Sequence, residues 1–422
     1  AVGIQINFAP TVDVNNNPGN PVINVRSFGE DPQHVARLAA QWVRGSHDAG
    51  VIATAKHFPG HGDTDVDSHV GLPVVSATRA RLEQLELVPF RAAIAAGAPM
   101  VMTAHIALPA VSGDSATPAT LSERIITDLL REDLGFRGVA ITDALTMEGV
   151  GRGYSPEESA VLAGKAGSDI LLMPRDAKRA IDAVAAAVER GDIPKARIDA
   201  AARRVLELKA RTGVAVRPTV DLEALREVVG AAEHRAKADD IARRAITLLR
   251  DNANLAPVSG GRVVIVQYIP ETELKAGRWF AREIAAVRPS HVFKITPRSG
   301  REELDSIARA ARGVDRVVIA AHVRRVEGEG RATIPTHIAS WMDGLAQRER
   351  VVFVAHGNPY LIRQVPSVGT YVVTYGVGDA LERASARAVT GRAPITGRAP
   401  ISLPGFFRRG DGIQRPAGNA GR

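Results

Sequence analysis

Short apolar runs rich in β-branched residues recur along this chain, each followed by a turn and most by an amphipathic stretch, and this alternation restricts it to parallel α/β architectures. Val51-Ile52-Ala53-Thr54-Ala55 shows the type: it carries no charge and is too short for a buried helix, as befits a strand covered on both faces. In the first half the pattern predicts strands over Ile4 to Ala9, Val51 to Ala55, Met100 to Ala104, Val139 to Thr142 and Asp169 to Met173. Ser155-Pro156-Glu157-Glu158 marks a helix start, with an N-cap serine, a proline in the first turn and a capping-box glutamate. Five strands fall short of the eight that close a TIM-type (β/α)8 barrel. The chain also begins abruptly at Ala1-Val2-Gly3-Ile4-Gln5, so the expected fold is such a barrel lacking its first strands, occupying 1–211.

Between 212 and 232 the periodicity weakens around Arg217-Pro218-Thr219, which reads as a connector. A helix from about His234 to Arg250 then leads into strand candidates Val263 to Val266, His291 to Ile295, Arg316 to Ala320, Val351 to Ala355 and Tyr371 to Thr374. These predict a second α/β domain over 233–407, followed by a basic tail over 408–422 that carries Arg408, Arg409, Arg415 and Arg422. The hexapeptide Thr390 to Ile395 repeats at once as Thr396 to Ile401, and its proline and glycine predict a surface loop. A length of 422 residues suits two domains. The net charge of +8 is spread over 54 basic and 46 acidic residues, without the basic stripe that a nucleic-acid binder needs. Cysteine is absent, which excludes disulfides and thiolate chemistry, and no run reaches the roughly 20 apolar residues of a membrane span.

One segment has a composition that no packed core requires. From Lys56 to His69 the sequence reads Lys-His-Phe-Pro-Gly-His-Gly-Asp-Thr-Asp-Val-Asp-Ser-His, with three histidines and three aspartates behind an apolar run. It therefore sits at the C-terminal end of a strand, the end that carries chemistry in parallel α/β folds. Asp67 and His69, two apart, can approach one another in a looped segment, and a carboxylate so placed fixes the imidazole's tautomer and tunes it for proton transfer. Asp143 closes the run Gly138-Val139-Ala140-Ile141-Thr142 and points a lone carboxylate into the same mouth. An alternative is a divalent metal held by His57, His61 and His69 with Asp63 or Asp67. Against it, Pro59 and Gly60 separate His57 from His61, so they do not form the one-face helical pair of a metalloprotease.

The stretch Lys56 to Thr64 with Asp67-Ser68-His69 resembles the signature of family 3 glycoside hydrolases, in their β-N-acetylglucosaminidase branch. Asn7 to Asn15, Arg26-Ser27-Phe28-Gly29 and Thr142 to Met147 resemble the same family in the same order, and Gly357-Asn358-Pro359-Tyr360 resembles the α/β sandwich domain of its two-domain members. The resemblance implies a retaining β-N-acetylglucosaminidase acting on terminal β-linked N-acetylglucosamine of peptidoglycan fragments or chitooligosaccharides. It implies Asp143 as nucleophile and His69 as general acid/base, oriented by Asp67. Arg26, Lys56 and His57 are then the sugar-binding residues, with His105 and Asp13 as further candidates. No cofactor or metal is implied, and the partner is a small carbohydrate. Within the family, phosphate in place of water as acceptor and a β-glucosidase specificity stay open, and Glu327 and Glu329 read as solvated or substrate-edge residues. Outside it, a metal-dependent hydrolase and a non-catalytic sugar-binding protein remain alternatives. Oligomeric state and compartment, cytoplasmic or secreted, have no signature in the sequence.

Overall fold

The computed structural model of the chain describes residues 2–216, 219–258, 260–324 and 332–418. Arg217 and Pro218 of the connector, Glu327, Glu329 and Arg422 lie outside the described residues. The described chain forms two compact units, one reaching Val229 and one beginning at Gly230, and each is mixed α/β.

The first unit is built on four parallel strands in the order β1 (Ile6–Asn7), β2 (Ile52–Phe58), β3 (Met100–Thr103) and β4 (Val139–Ile141). The expected first strand is cut short because Pro10 has no N–H to give. The ladder still continues, with Thr54 N donating to Ala9 O at 2.8 Å and Val12 N to Lys56 O at 2.8 Å. Asp169 to Met173 does not form the expected fifth strand and joins β4 by a single bridge, Ile141 to Ile170. The reason lies in the hydrogen bonds: the amides of Asp169 and Ile170 share the Ala140 carbonyl, and Leu172 N donates to Thr142 Oγ1 at 2.8 Å in place of a backbone carbonyl. No closed barrel forms among the described residues. Helices cover the sheet as the sequence predicts. Asp31 caps Pro32–Asp48 by accepting from His34 N, and Ser155 and Glu158 form the expected capping box on Pro156–Ala166. Phe58 meets Phe90 edge to face, with centroids 5.2 Å apart, at the centre of a core that includes Val12, Leu82 and Ile125.

The second unit holds six strands: β5 (Thr247–Asp251), β6 (Val263–Tyr268), β7 (Ser290–Ile295), β8 (Arg316–Val323), β9 (Val351–Gly357) and β10 (Thr370–Val373). Their order is β5-β10-β9-β8-β6-β7, parallel except for β5 against β10. The helix expected to reach Arg250 stops at Ala245, and β5 takes its end. Ile246, Thr247 and Leu248 are buried and β-branched or apolar, so pairing with β10 outweighs a helical continuation. The repeated hexapeptide is likewise no surface loop. Gly397 N donates to Ile246 O at 3.0 Å, and Ile395, Ala399 and Ile401 are buried. Arg415 of the basic tail pairs with Asp251 at 2.9 Å and bridges to Ile395.

Candidate active site

The sequence-predicted residues of the first unit gather at the C-terminal ends of its strands. Asp13 follows β1, Lys56 and His57 end β2, His105 follows β3, and Asp143 follows β4. Asp13 is fully buried, and its carboxylate accepts from His61 N at 2.7 Å, from His57 N at 3.2 Å and from His57 Nδ1 at 2.7 Å. A carboxylate only accepts, so His57 Nδ1 carries the proton and Nε2 is left to accept from Arg26 Nη2 at 3.3 Å. The guanidinium is held at its other side by Val22 O at 3.2 Å. Burial opposes the charge of Asp13, yet His57, His61 and their hydrogen bonds outweigh it and keep the carboxyl below its ordinary range. Burial in turn pushes His57 down despite Asp13.

Asp143 accepts from the following amide, Ala144 N, at 2.8 Å. Burial would raise its pKa, but His57, His105, the Ala144 amide and Lys56 together hold it below the usual carboxylate range, so it is ionised at neutral pH. His105 fixes the backbone beside it. Its Nε2 donates to Ala144 O at 2.9 Å, and its Nδ1 meets Thr120 Oγ1 at 2.9 Å, where burial lowers its pKa. Asp13 and His105 thus spend their polar atoms on protein partners, in positions that order the loop ends around them.

The loop after β2 carries a second carboxylate–histidine pair. His69 Nδ1 and His69 N both approach Asp67 Oδ1, at 2.7 and 2.9 Å. Asp67 is buried, while a quarter of the His69 side chain is exposed. His61 is engaged within the loop itself, with Nδ1 2.7 Å from Thr64 Oγ1 and Nε2 3.0 Å from Ser68 Oγ, and Asp63 turns to Arg81 at 2.7 Å. The three histidines therefore have three different partners, and among the described residues no group of three or more potential ligands converges on one metal position. Ser68, Thr64 and Gly149, whose N donates to Ser68 O at 3.0 Å, were not singled out by sequence reasoning. The signal for the first two was their place inside the histidine cluster, whereas Gly149 has none at the level of sequence.

One family model spans the part of the unit that carries these residues. The family described as "Glycosyl hydrolase family 3 N terminal domain" matches residues 1–208. Beta-hexosaminidase A of Pseudoalteromonas piscicida is 37% identical over 292 residues, covering 65% of this chain and 48% of its own length. A glycoside hydrolase family 3 beta-N-acetylglucosaminidase from Paenibacillus sp. str. FPU-7, of known structure, is 36% identical with a TM-score of 0.85, covering 95% of this chain and 77% of that one. The structure of beta-glucoside phosphorylase BglX bound to 2FGlc has a TM-score of 0.85 at 25% identity, covering 95% of this chain and 74% of that one. The chain spans about half the length of the curated beta-hexosaminidases it matches.

Proposed function

Since this chain belongs to glycosyl hydrolase family 3, we propose that it hydrolyses terminal β-linked N-acetylglucosamine from peptidoglycan fragments or chitooligosaccharides with retention of configuration. The observation that carries the reading is the Asp67–His69 contact of 2.7 Å, on a loop hydrogen-bonded to the segment that follows Asp143. In the first step an Asp143 oxygen attacks the anomeric carbon as the bond to the leaving oxygen breaks, and His69 Nε2 gives that oxygen its proton. In the second, His69 takes a proton from water, the water oxygen attacks the same carbon, and Asp143 departs as a carboxylate. Asp67 accepts from Nδ1–H throughout, which holds the tautomer that presents Nε2 and stabilises the imidazolium.

Arg26, Lys56 and His57 form the sugar site in this reading, the two cations as donors to hydroxyl groups and His57 Nε2 as an acceptor that also orients Arg26, while Asp13 and His105 hold them and the nucleophile in register. The parallel sheet of the first unit is read as part of a (β/α)8 barrel, with 1–211 as the catalytic domain, 212–232 as connector, 233–407 as the α/β sandwich domain and 408–422 as tail. Phosphorolysis is the second reading, favoured by the likeness to a beta-glucoside phosphorylase. An uncharged imidazole repels an anionic acceptor less than a second carboxylate would. Release of the aryl group from an aryl β-N-acetylglucosaminide, compared with the glucoside and with and without phosphate, tests both. Turnover of the N-acetyl substrate unaffected by phosphate supports hydrolysis, and acceleration by phosphate supports phosphorolysis. Preference for the glucoside, or no turnover of either, contradicts the proposal.

A further inference from the structure

We propose that Ser68 sets the position of the acid/base loop relative to the nucleophile, clamped at its side chain by His61 and at its carbonyl by Gly149; this rests on the reading of Asp67, His69 and Asp143 given above. Thr64 Oγ1 donates to His61 O at 3.1 Å, so it accepts from His61 Nδ1, 2.7 Å away. That assigns the proton of His61 to Nδ1 and leaves Nε2 as an acceptor. Ser68 Oγ then donates to Nε2 across 3.0 Å. Asn20 braces the same turn, with Nδ2 2.9 Å from both His61 O and Gly62 O. All of these side chains are buried.

The other end of Ser68 reaches the segment that follows Asp143. Its carbonyl accepts from Gly149 N at 3.0 Å, six residues beyond Asp143. A Cβ at Gly149 would lie 2.9 Å from Ser68 O and 3.0 Å from His105 Cβ, so a side chain there would force the two segments apart. Ser68 thus lies between Asp67 and His69 in sequence, and between the β2 loop and the Asp143 segment in space. Loss of its hydroxyl frees the loop from His61 while leaving the Asp67–His69 pair chemically intact. Ser68 and His61 are positioning residues: neither exchanges a proton with substrate, and both act through His69.

The distinguishing measurement is leaving-group dependence. An aryl β-N-acetylglucosaminide with a strongly acidic phenol departs without protonation, whereas one with a weakly acidic phenol needs the general acid, whose contribution is roughly 10²–10⁴-fold. Ser68→Ala is expected to lower kcat/KM on the weakly acidic phenol by about ten-fold or more, and to change it by less than about three-fold on the acidic one. His61→Leu should behave in the same way, and His61→Gln, whose carbonyl can accept from Ser68, should restore most of the loss. His69→Ala is measured beside them. Equal effects of Ser68→Ala on both substrates, or none on either, while His69→Ala shows the leaving-group dependence, would overturn the positioning role alone. A His69→Ala enzyme without that dependence would remove the acid/base assignment on which it rests.

Discussion

Asp13 and His57 meet across 2.7 Å beneath the mouth of the first sheet, both buried, and their contact decides where a third residue lies. With its proton on Nδ1, His57 offers Nε2 to Arg26, so a fixed carboxylate at one end of the chain of hydrogen bonds orients a guanidinium at the other. Asp13 is fully buried, and the order it imposes on His57 is passed on to Arg26.

Asp13→Asn removes the charge but keeps the shape. An amide nitrogen in place of an acceptor oxygen leaves His57 or His61 N unpaired, and a buried donor left unsatisfied costs about 1–3 kcal/mol. Denaturant unfolding should show a loss of that order. Steady-state kinetics should show a raised KM from a misplaced Arg26.

Stability should fall on mild acidification. Burial depresses His61 and His322 from 6.5 to about 4, and it depresses His356 in the same direction with the nearby His322 adding to it. Their folded-state pKa values lie below those of the unfolded chain, so the unfolded chain binds more protons between about 4 and 6.5. The stabilisation is therefore complete above pH 6.5 and lost progressively as pH drops through that window, by about 1.4 kcal/mol per pH unit for each group. Both nitrogens of His322 lack a hydrogen-bond partner. His322→Leu should consequently flatten the dependence by about one proton when urea midpoints are compared at pH 7 and 4.5. A slope of opposite sign would contradict the burial argument.

Asp169 is fully buried at its side chain and is approached by Arg131 at 2.7 Å, Arg204 at 3.0 Å and Arg197 at 3.2 Å. Asp169→Asn leaves three guanidinium groups around a neutral amide, and a loss of about 3 kcal/mol is expected. The arginine contacts do not reach Asp143 or His69, so the loss of activity should follow the loss of folded protein. Thermal unfolding and active-site titration separate the two effects.

The chemistry of the first unit was more legible than its sheet. Asp67, His69 and Asp143 could be picked out as candidates because polar side chains beyond a strand end break the apolar pattern. The Asp169 to Met173 segment could not, since its composition suits a strand and it is the shared Ala140 carbonyl and the Thr142 hydroxyl that disrupt its ladder. Likewise β5 was hidden inside a helical period, because the preference of Ile246 to Arg250 is set by β10, more than a hundred residues away in sequence. Asp13 was visible as a candidate, but its service to His57 and His61 depends on a contact across 44 positions that no local pattern encodes.

The covalent intermediate offers the sharpest test. Incubation with a fluorinated, activated N-acetylglucosaminide that forms the glycosyl-enzyme quickly and hydrolyses slowly, followed by peptide mass spectrometry, should place one sugar on the peptide containing Asp143. Asp143→Ala should remain unlabelled, and His69→Ala should still label when the leaving group is acidic. Labelling at another carboxylate, or turnover of the Asp143→Ala protein, would contradict Asp143 as the nucleophile.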